Sequence, residues 1–384
     1  MKIAFFSDTY LPNVDGVVTS MTTFKKALEE KNHEVFVYCS GSRKDKKQNK
    51  DARVIYYESI KFPPYPQYKL AVFPYASAKK SVEEKKIELI HCHAIASMGL
   101  SAMKTAHDLS LPLVGTFHTM IPIATGYVAK TEIGKKLAAA IAWKAVQTFY
   151  TPFNVVTTPS HVIAGLLEEH GVKNVVTVPN GIDLNKFNPR LSRQKIRGKL
   201  GLGDEEKLIM VAGRMGLEKN IDVIIKSMKQ VRKQANAKLL ITGDGPARPG
   251  CEKLAKELGL ANKVIFEGFV PGEDLPYYYR AADCFVTAST FETQGLALLE
   301  AMACGVPGVG ANSLAIPESI DDGINGFLFE PFNELECAEK ITRVLSASEK
   351  EAQKMRGEAR KKAEQFSVDN CTEKLLKAYE RART

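Results

Sequence analysis

The amino-acid sequence predicts an α/β chain of two doubly wound domains, each a parallel sheet with helices on both faces. Three observations carry this. Short apolar, strand-like runs alternate with helical patterns from the first residues onward, the order of a parallel sheet joined by crossover helices. The alternation pauses in a polar stretch containing a proline and several arginines, roughly 182–206, and then starts again. The length, 384 residues, suits two domains at roughly 150 residues each.

In the first half, residues 2–7 (KIAFFS) read as a buried strand, Ser20 to Glu30 as a helix and 34–39 (EVFVYC) as the next strand. ELIHCH with a helix of small residues, LPLVGTFH, a helix over about 132–149, NVVTTPS and NVVTVPN follow. In the second half LIMVAGR, AKLLITGDG, KVIFEGFV, DCFVTAS and GVPGVG are strands separated by helices, and GFLFEP is the last. These patterns place the domains at 1–185 and 186–365, with a helix over 366–384 packing back on the first. Ligands of open α/β sheets bind beyond the carboxyl ends of the strands, so two such domains predict a cleft that holds the chemistry.

Composition narrows the function classes. Hydrophobic residues make up 45% and charged residues 25%, the usage of a globular chain with large cores. No run approaches the roughly 18 apolar residues of a membrane-crossing helix, and the opening MKIAFFSDTY meets Asp8 too early for a secretory signal. The expected compartment is the cytoplasm. Seven cysteines without a CxxC pair suit reduced thiols and exclude zinc ribbons and thioredoxin chemistry. SDTYLPNVDGVVTS, after the first strand, holds no GxGxxG, and neither GxxxxGKS nor GxxxxGKT occurs, which disfavours a dehydrogenase and a P-loop ATPase. His91 and His93 flank Cys92, but a strand puts both histidines on one face and the cysteine on the other. No nearby Cys or His completes a tetrahedral set, so no metal is expected there.

The net charge of +9 is uneven, because residues 1–190 hold 24 Lys and Arg against 16 Asp and Glu, a net of +8. It concentrates in Arg43, Lys44, Lys46, Lys47 and Lys50, and in Lys79, Lys80, Lys85 and Lys86. Such runs are solvated loops and helix faces, or a contact for an anionic membrane or nucleic acid. No nucleic-acid motif accompanies them, and the motif-rich second half is balanced, which sets nucleic acid aside as a partner.

The densest chemistry lies in STFETQGLALLEAMACGVPGVG, residues 289–310. A strand over 283–289 leads to a loop with Glu292 and a helix beginning near Gln294, so Leu296, Leu299 and Ala303 face the core while Glu300 lies within the helix. The amides of Gln294, Gly295 and Leu296 make an anion-ready helix N-terminus, where Gly295 lets a phosphate come close to the backbone. A carboxylate on each side then suits sugar hydroxyls at Glu292 and ribose hydroxyls at Glu300; a lone glutamate at this spacing is more often a solvent-facing helical residue. Arg214, at the end of a strand, and Lys219, at the start of the next helix, put two cations near another helix N-terminus. That suits a diphosphate whose charge grows as it leaves. No Asp-x-Asp pair is present to seat a metal on that diphosphate.

Two glutamates with seven residues between them, followed by AMACGVP, strongly resemble the signature of glycosyltransferase family 4, retaining enzymes with two Rossmann-like domains facing a central cleft (GT-B architecture). SDTYLPNVDGVVTS, GTFHT at 115–119, PNGID at 179–183, GRMGLEKN at 213–220, GDGP at 243–246 and EGFV at 267–270 extend the resemblance over essentially the whole chain. It implies that Arg214 and Lys219 grip the nucleotide diphosphate and that His118 points at the donor sugar. It implies further that Gly16 lets backbone approach the donor phosphate, where an ordinary turn also explains a lone glycine, and that the backbone of Gly268 and Phe269 holds the base. Glu292, His118, Arg214 and Lys219 are then the catalytic set, and Gln294, Gly295, Leu296 and Glu300 complete the donor site.

The implied activity is transfer of a hexose from a nucleotide sugar of the UDP-glucose or GDP-mannose type to an acceptor hydroxyl, with no metal or other cofactor. Retention proceeds by front-side attack, the family's usual proposal, or through a covalent intermediate. ETQGLALLEAMA, KFPPYPQYKLAVFPY at 61–75 and GTFHTM are most similar to the branch that glycosylates membrane glycerolipids. The expected partners are therefore a nucleotide-sugar donor, a lipid acceptor and an anionic membrane surface, with the protein peripheral on the inner face of the membrane. Phe62, Tyr65, Tyr68, Leu70, Val72 and Phe73, ahead of the lysines at 79–86, are the expected contact, unless these aromatics complete a core. The rival readings are the same chemistry on a soluble acceptor and an idle nucleotide-sugar-binding regulator, which would tolerate losing Glu292, Arg214 and Lys219.

Overall fold

Ile3, Ala4, Phe5 and Phe6 are all fully buried, and a strand buried on both faces belongs to a sheet layered between helices. The computed structural model describes residues 1–13, 15–62, 65–72, 74–120, 131–203 and 205–384, with backbone alone at 61, 62, 65–69 and 132. The chain folds as two units, residues 1–181 with 368–384, and residues 182–367. The strand pattern put these boundaries at 185/186 and 365/366. The Ile182 N–H donates to the Phe366 carbonyl at 2.7 Å and Ile182 bridges Ser367. Both ends of the second unit are thus fixed side by side by a pairing that no local pattern announces.

Unit 1 runs β1 (Lys2–Ser7), α1 (Gly16–Glu30), β2 (Glu34–Gly41), α2 (Arg43–Gln48), β3 (Val54–Phe62), β4 (Tyr65–Ala71), α3 (Tyr75–Glu84), β5 (Leu89–Cys92), α4 (Ser97–Leu109), β6 (Leu113–Thr116), α5 (Glu132–Tyr150), β7 (Val155–Thr158), α6 (His161–Glu169) and β8 (Val175–Thr177). The sheet order is β4-β3-β2-β1-β5-β6-β7-β8, parallel except for the antiparallel β3–β4 pair. That edge pair is not in the sequence reading, which saw in its second strand only an aromatic, proline-bearing stretch. The C-terminal helix, Val368–Arg383, buries Cys371, Leu375, Ala378, Tyr379 and Ala382 at helical spacing and belongs to this unit.

Unit 2 runs α7 (Gln194–Lys199), β9 (Lys207–Ala212), α8 (Ile221–Gln234), β10 (Ala237–Thr242), α9 (Arg248–Glu257), β11 (Val264–Gly268), α10 (Leu275–Ala281), β12 (Cys284–Thr287), α11 (Leu296–Ala303), β13 (Gly308–Ala311), α12 (Ile316–Ser319), β14 (Gly326–Phe329), α13 (Glu334–Leu345) and α14 (Glu349–Glu364). Its order is β11-β10-β9-β12-β13-β14, all parallel. Successive strand residues feed opposite cores, as the period of two requires. Ile209, Val211, Leu239 and Ile241 join the core under α8 and α13, while Leu208, Met210, Leu240 and Phe285 join the one under α11 and α14.

Asp283 ties α7 and α14 to this sheet. Its carboxylate accepts from the Leu208 N–H at 2.9 Å and from Arg193 at 2.6 Å, and lies 3.4 Å from Arg197 and 3.8 Å from Arg356. Asp283→Ala leaves the buried Arg197 without its carboxylate and is expected to destabilise unit 2 by about 3–5 kcal/mol. The urea midpoint seen by circular dichroism should fall while that of the lone Trp143, which lies in unit 1, stays in place.

Candidate functional site

In unit 2 the strand order reverses at β9, which has β10 on one side and β12 on the other, and the carboxyl ends at such a reversal are where open α/β sheets bind ligands. The residues following β9 and β12 line a pocket there that includes Gly213, Arg214, Lys219, Glu292, Gly295 and Leu298. Lys219 Nζ donates to Glu292 Oε1 at 2.5 Å, and Arg214 pairs with Glu218. Asn220, in the left-handed region, donates from its amide to the Ala288 carbonyl at 3.1 Å, tying the Lys219 turn to the end of β12.

The Arg214 loop is shaped by backbone contact. Gly243 has φ +110, and a Cβ there would sit 2.0 Å from the Gly213 carbonyl oxygen, so only glycine lets the two loops touch. Hydrogen bonds from Met215 N to Asp244 O and from Ala247 N to Met215 O, each 2.9 Å, lock them together. The helix expected to begin near Gln294 begins at Leu296, because Gly295 takes φ +84 and stands as its cap without a side-chain hydrogen bond. The first turn therefore presents backbone N–H groups, which favour an anion.

Glu300 is half-buried and accepts from the Tyr279 hydroxyl at 2.9 Å, which corrects the reading of it as a solvent-facing helical residue. Burial pushes its carboxyl up to about 7, against the opposing pull of the Tyr279 hydrogen bond and the Lys186 charge. Gly268, φ +79, accepts from Gly243 N at 2.6 Å, and the Phe269 side chain beside it is exposed.

In unit 1 the order reverses between β1 and β5. Asp8, just past β1, accepts from Ala96 N and Met98 N, both 3.0 Å, and so fixes the start of α4. Asp15 caps α1 by accepting from Val18 N at 2.9 Å. Gly16 opens that helix, and a Cβ there would meet nothing within 4 Å. His118 follows β6, with Nε2 2.9 Å from Nδ1 of His93. The His91 and His93 rings are 4.0 Å apart, and His91 reaches Tyr379 of the C-terminal helix at 2.7 Å and Thr116 at 2.6 Å. Burial alone lowers His118 to about 4 and is the main cause that holds His91 and His93 well below the usual imidazole range, so the cluster is neutral at physiological pH. Among the described residues no three His, Cys, Asp or Glu side chains are placed to share a metal.

Residues 14–186 match the model of Glycosyltransferase Family 4 and residues 192–362 that of Glycosyl transferases group 1. Alpha-monoglucosyldiacylglycerol synthase of Streptococcus pneumoniae is 32% identical over 354 residues, covering 91% of this chain and 79% of that one. The chain belongs to glycosyltransferase family 4. A protein of the same name from Acholeplasma laidlawii is 30% identical over 347 residues, covering 87% of this chain and 86% of that one. Anabaena HepE in complex with UDP-glucose shares the fold, with a TM-score of 0.80 over 99% of each chain at 19% identity. The architecture is GT-B and the enzyme a hexosyltransferase.

For this family-4 enzyme the structure brings Arg214, Lys219, Glu292 and Gly295 to one pocket, with Leu296 opening the helix behind it. Gly16 and His118 lie in unit 1, Gly16 in the segment after β1 at the reversal and His118 just past β6, the neighbour of β5. Sequence reasoning missed Glu218, Asn220, Tyr279 and the contact of His93 with His118. Glu218, four residues after Arg214, was visible as a spacing; Tyr279 and His93 meet their partners 21 and 25 residues away, with no local signal. Of the segment expected to meet a membrane, Phe73 and the side chains of Phe62, Tyr65 and Tyr68 lie outside the described residues. Leu70 is half-buried and Val72 exposed. Lys79 pairs with Asp108 at 3.6 Å, and Lys80 with Glu84 at 3.8 Å.

Between its ordinary value of 4.5 and about 7, Glu300 holds a proton in the folded chain that the unfolded chain has released. Stability therefore declines as pH rises through this window. Glu300→Gln should be more stable than wild type at pH 8 by roughly 1–3 kcal/mol and equal to it at pH 4, as read by urea unfolding at the two pH values.

Proposed function

We propose that the enzyme transfers glucose from a nucleotide sugar to the free hydroxyl of a diacylglycerol, retaining the α configuration, at the surface of the membrane that holds the lipid. The observation that carries the donor half is the gathering of Arg214 and Lys219 beside the uncapped N-terminus of α11. The two α-monoglucosyldiacylglycerol synthases support the acceptor half, since each covers most of this chain. No helix among the described residues is long and apolar enough to cross a membrane.

In this reading the bond from the anomeric carbon to the diphosphate oxygen breaks, the bond to the acceptor oxygen forms, and the departing phosphate oxygen takes the acceptor proton. Lys219 and Arg214 stabilise the charge that grows on the diphosphate, displacing their resident partners Glu292 and Glu218. Glu292, released from Lys219, is then available to sugar hydroxyls, and Glu300 accepts the ribose hydroxyls. His118, kept neutral by burial, orients the sugar by hydrogen bonding rather than by charge. The backbone at Gly268 and Phe269 receives the base, and the amide end at Gly16 meets the donor phosphate.

Labelled UDP-glucose and GDP-mannose, each offered with diacylglycerol and with soluble sugar acceptors, test this reading. Transfer only to soluble acceptors, or from GDP-mannose alone, would replace it. Protein cations take the place of a metal, so turnover should persist in EDTA, and a strict need for magnesium or manganese would overturn that part.

Lys219→Ala removes leaving-group stabilisation of a kind worth about 2.7–4 kcal/mol, so kcat should fall by roughly a hundredfold or more. Glu292→Ala should instead raise the donor KM and loosen discrimination among donor sugars. Steady-state kinetics with two donors separates the effects, and wild-type values in either variant remove that residue from the site.

A further inference from the structure

Helix α5 carries its apolar residues on the wrong side for a core. Ile133 is 82% exposed, Leu137 61% and Ile141 63%. With the exposed Lys136, Ala140, Lys144, Ala145 and Thr148 they recur every three or four residues, so they form one continuous outward face. The inward face is held by Val146 and Tyr150, both buried, and by Trp143, stacked on His170 at 3.8 Å. Among the described side chains the outward face holds no Asp or Glu, and its charges are the two lysines.

We infer that this face of α5 is the surface by which unit 1 docks on an anionic lipid bilayer, the three large aliphatic side chains entering the interface between Lys136 and Lys144. The inference rests on the lipid acceptor proposed above and names the surface that reaches it. Charge favours a bilayer as the occupant, because unit 1 carries +8 of the net +9 and the described side chains of the face add cations with no acid. Size favours it too. A single-helix stripe with three large side chains is far smaller than the roughly 800 Å² per partner of a stable protein interface, whereas a bilayer interface takes up a shallow amphipathic stripe. The lysine-rich segment at 79–86, expected from the sequence to serve this purpose, has Lys79 and Lys80 in ion pairs.

The test uses the full chain with vesicles of phosphatidylcholine alone or with phosphatidylglycerol. Wild type should co-float with the mixed vesicles at low salt and less at high salt. The triple variant Ile133→Ser, Leu137→Ser, Ile141→Ser should lose at least roughly tenfold in vesicle partition while keeping its thermal melt and its turnover of diacylglycerol in detergent micelles. Lys136→Glu with Lys144→Glu, which spares the apolar residues, should weaken binding to the mixed vesicles alone. Vesicle binding by the triple variant equal to wild type overturns the docking surface and leaves the function standing. A wild-type dimer that the triple variant dissolves also overturns it, making the face a contact between copies. Absence of wild-type turnover on diacylglycerol micelles overturns the lipid acceptor instead, and vesicle partition then judges the surface by itself.

Discussion

Two cations brought to one sheet end, beside a helix N-terminus that is itself partly positive, repel one another unless anions answer them. In unit 2 the chain supplies those anions from within, Glu292 to Lys219 and Glu218 to Arg214. Much of the local structure follows from holding this arrangement. The touching backbones of Gly213 and Gly243 set where Arg214 leaves β9, and Asn220 holds the Lys219 turn to the end of β12. Partly exposed ion pairs of this kind contribute little net stability. In the proposed function, exchanging their carboxylates for a diphosphate would therefore cost little, and the ion pairs would keep the site ordered before the donor arrives.

Unit 1 meets the opposite constraint. Three histidines stand at adjacent strand ends, and a cluster of three imidazolium ions would be costly to bury. Burial resolves this by keeping them neutral, lowering His118 to about 4 and pushing His91 and His93 well below the usual imidazole range. Neutral rings hydrogen-bond in a chain, His118 to His93 and His91 to Thr116 and Tyr379. The C-terminal helix thereby helps set the floor under His118, which ties the last residues of the chain to the candidate site.

The sequence made the central strands plain, since Ile3–Phe6, Leu208–Val211 and Leu239–Ile241 are apolar on both faces and can be little else. It also announced the pocket, because a helix N-terminus, a glycine and charged residues at strand ends each leave a local pattern. What it hid were properties set by distant neighbours. Nothing near Glu300 says that Tyr279 will cover it, and nothing in GDGP says that Gly213 will press on Gly243. Helix α5 shows the same limit most sharply. Its Ile133, Leu137 and Ile141 have the spacing of a core face, and only the fold reveals that Val146 and Tyr150 take the core while the aliphatic row is left outside.

The two units meet their anions by different means. Unit 2 carries a net +1, so under the proposed function its hold on a diphosphate would depend on the placement of two side chains and one helix end, short-range contacts that salt screens little. Unit 1 carries +8, spread over its surface, a charge that acts over about a Debye length and weakens as salt rises. Under the proposed function, an enzyme that finds a soluble nucleotide sugar and also remains near a lipid would gain from keeping these tasks apart. If both units were strongly basic, free nucleotides would crowd the acceptor side; if both were balanced, the membrane would be met only by chance collision. Under that proposal the uneven charge of this chain divides the work of the fold, with selectivity built by geometry in one half and attraction built by net charge in the other.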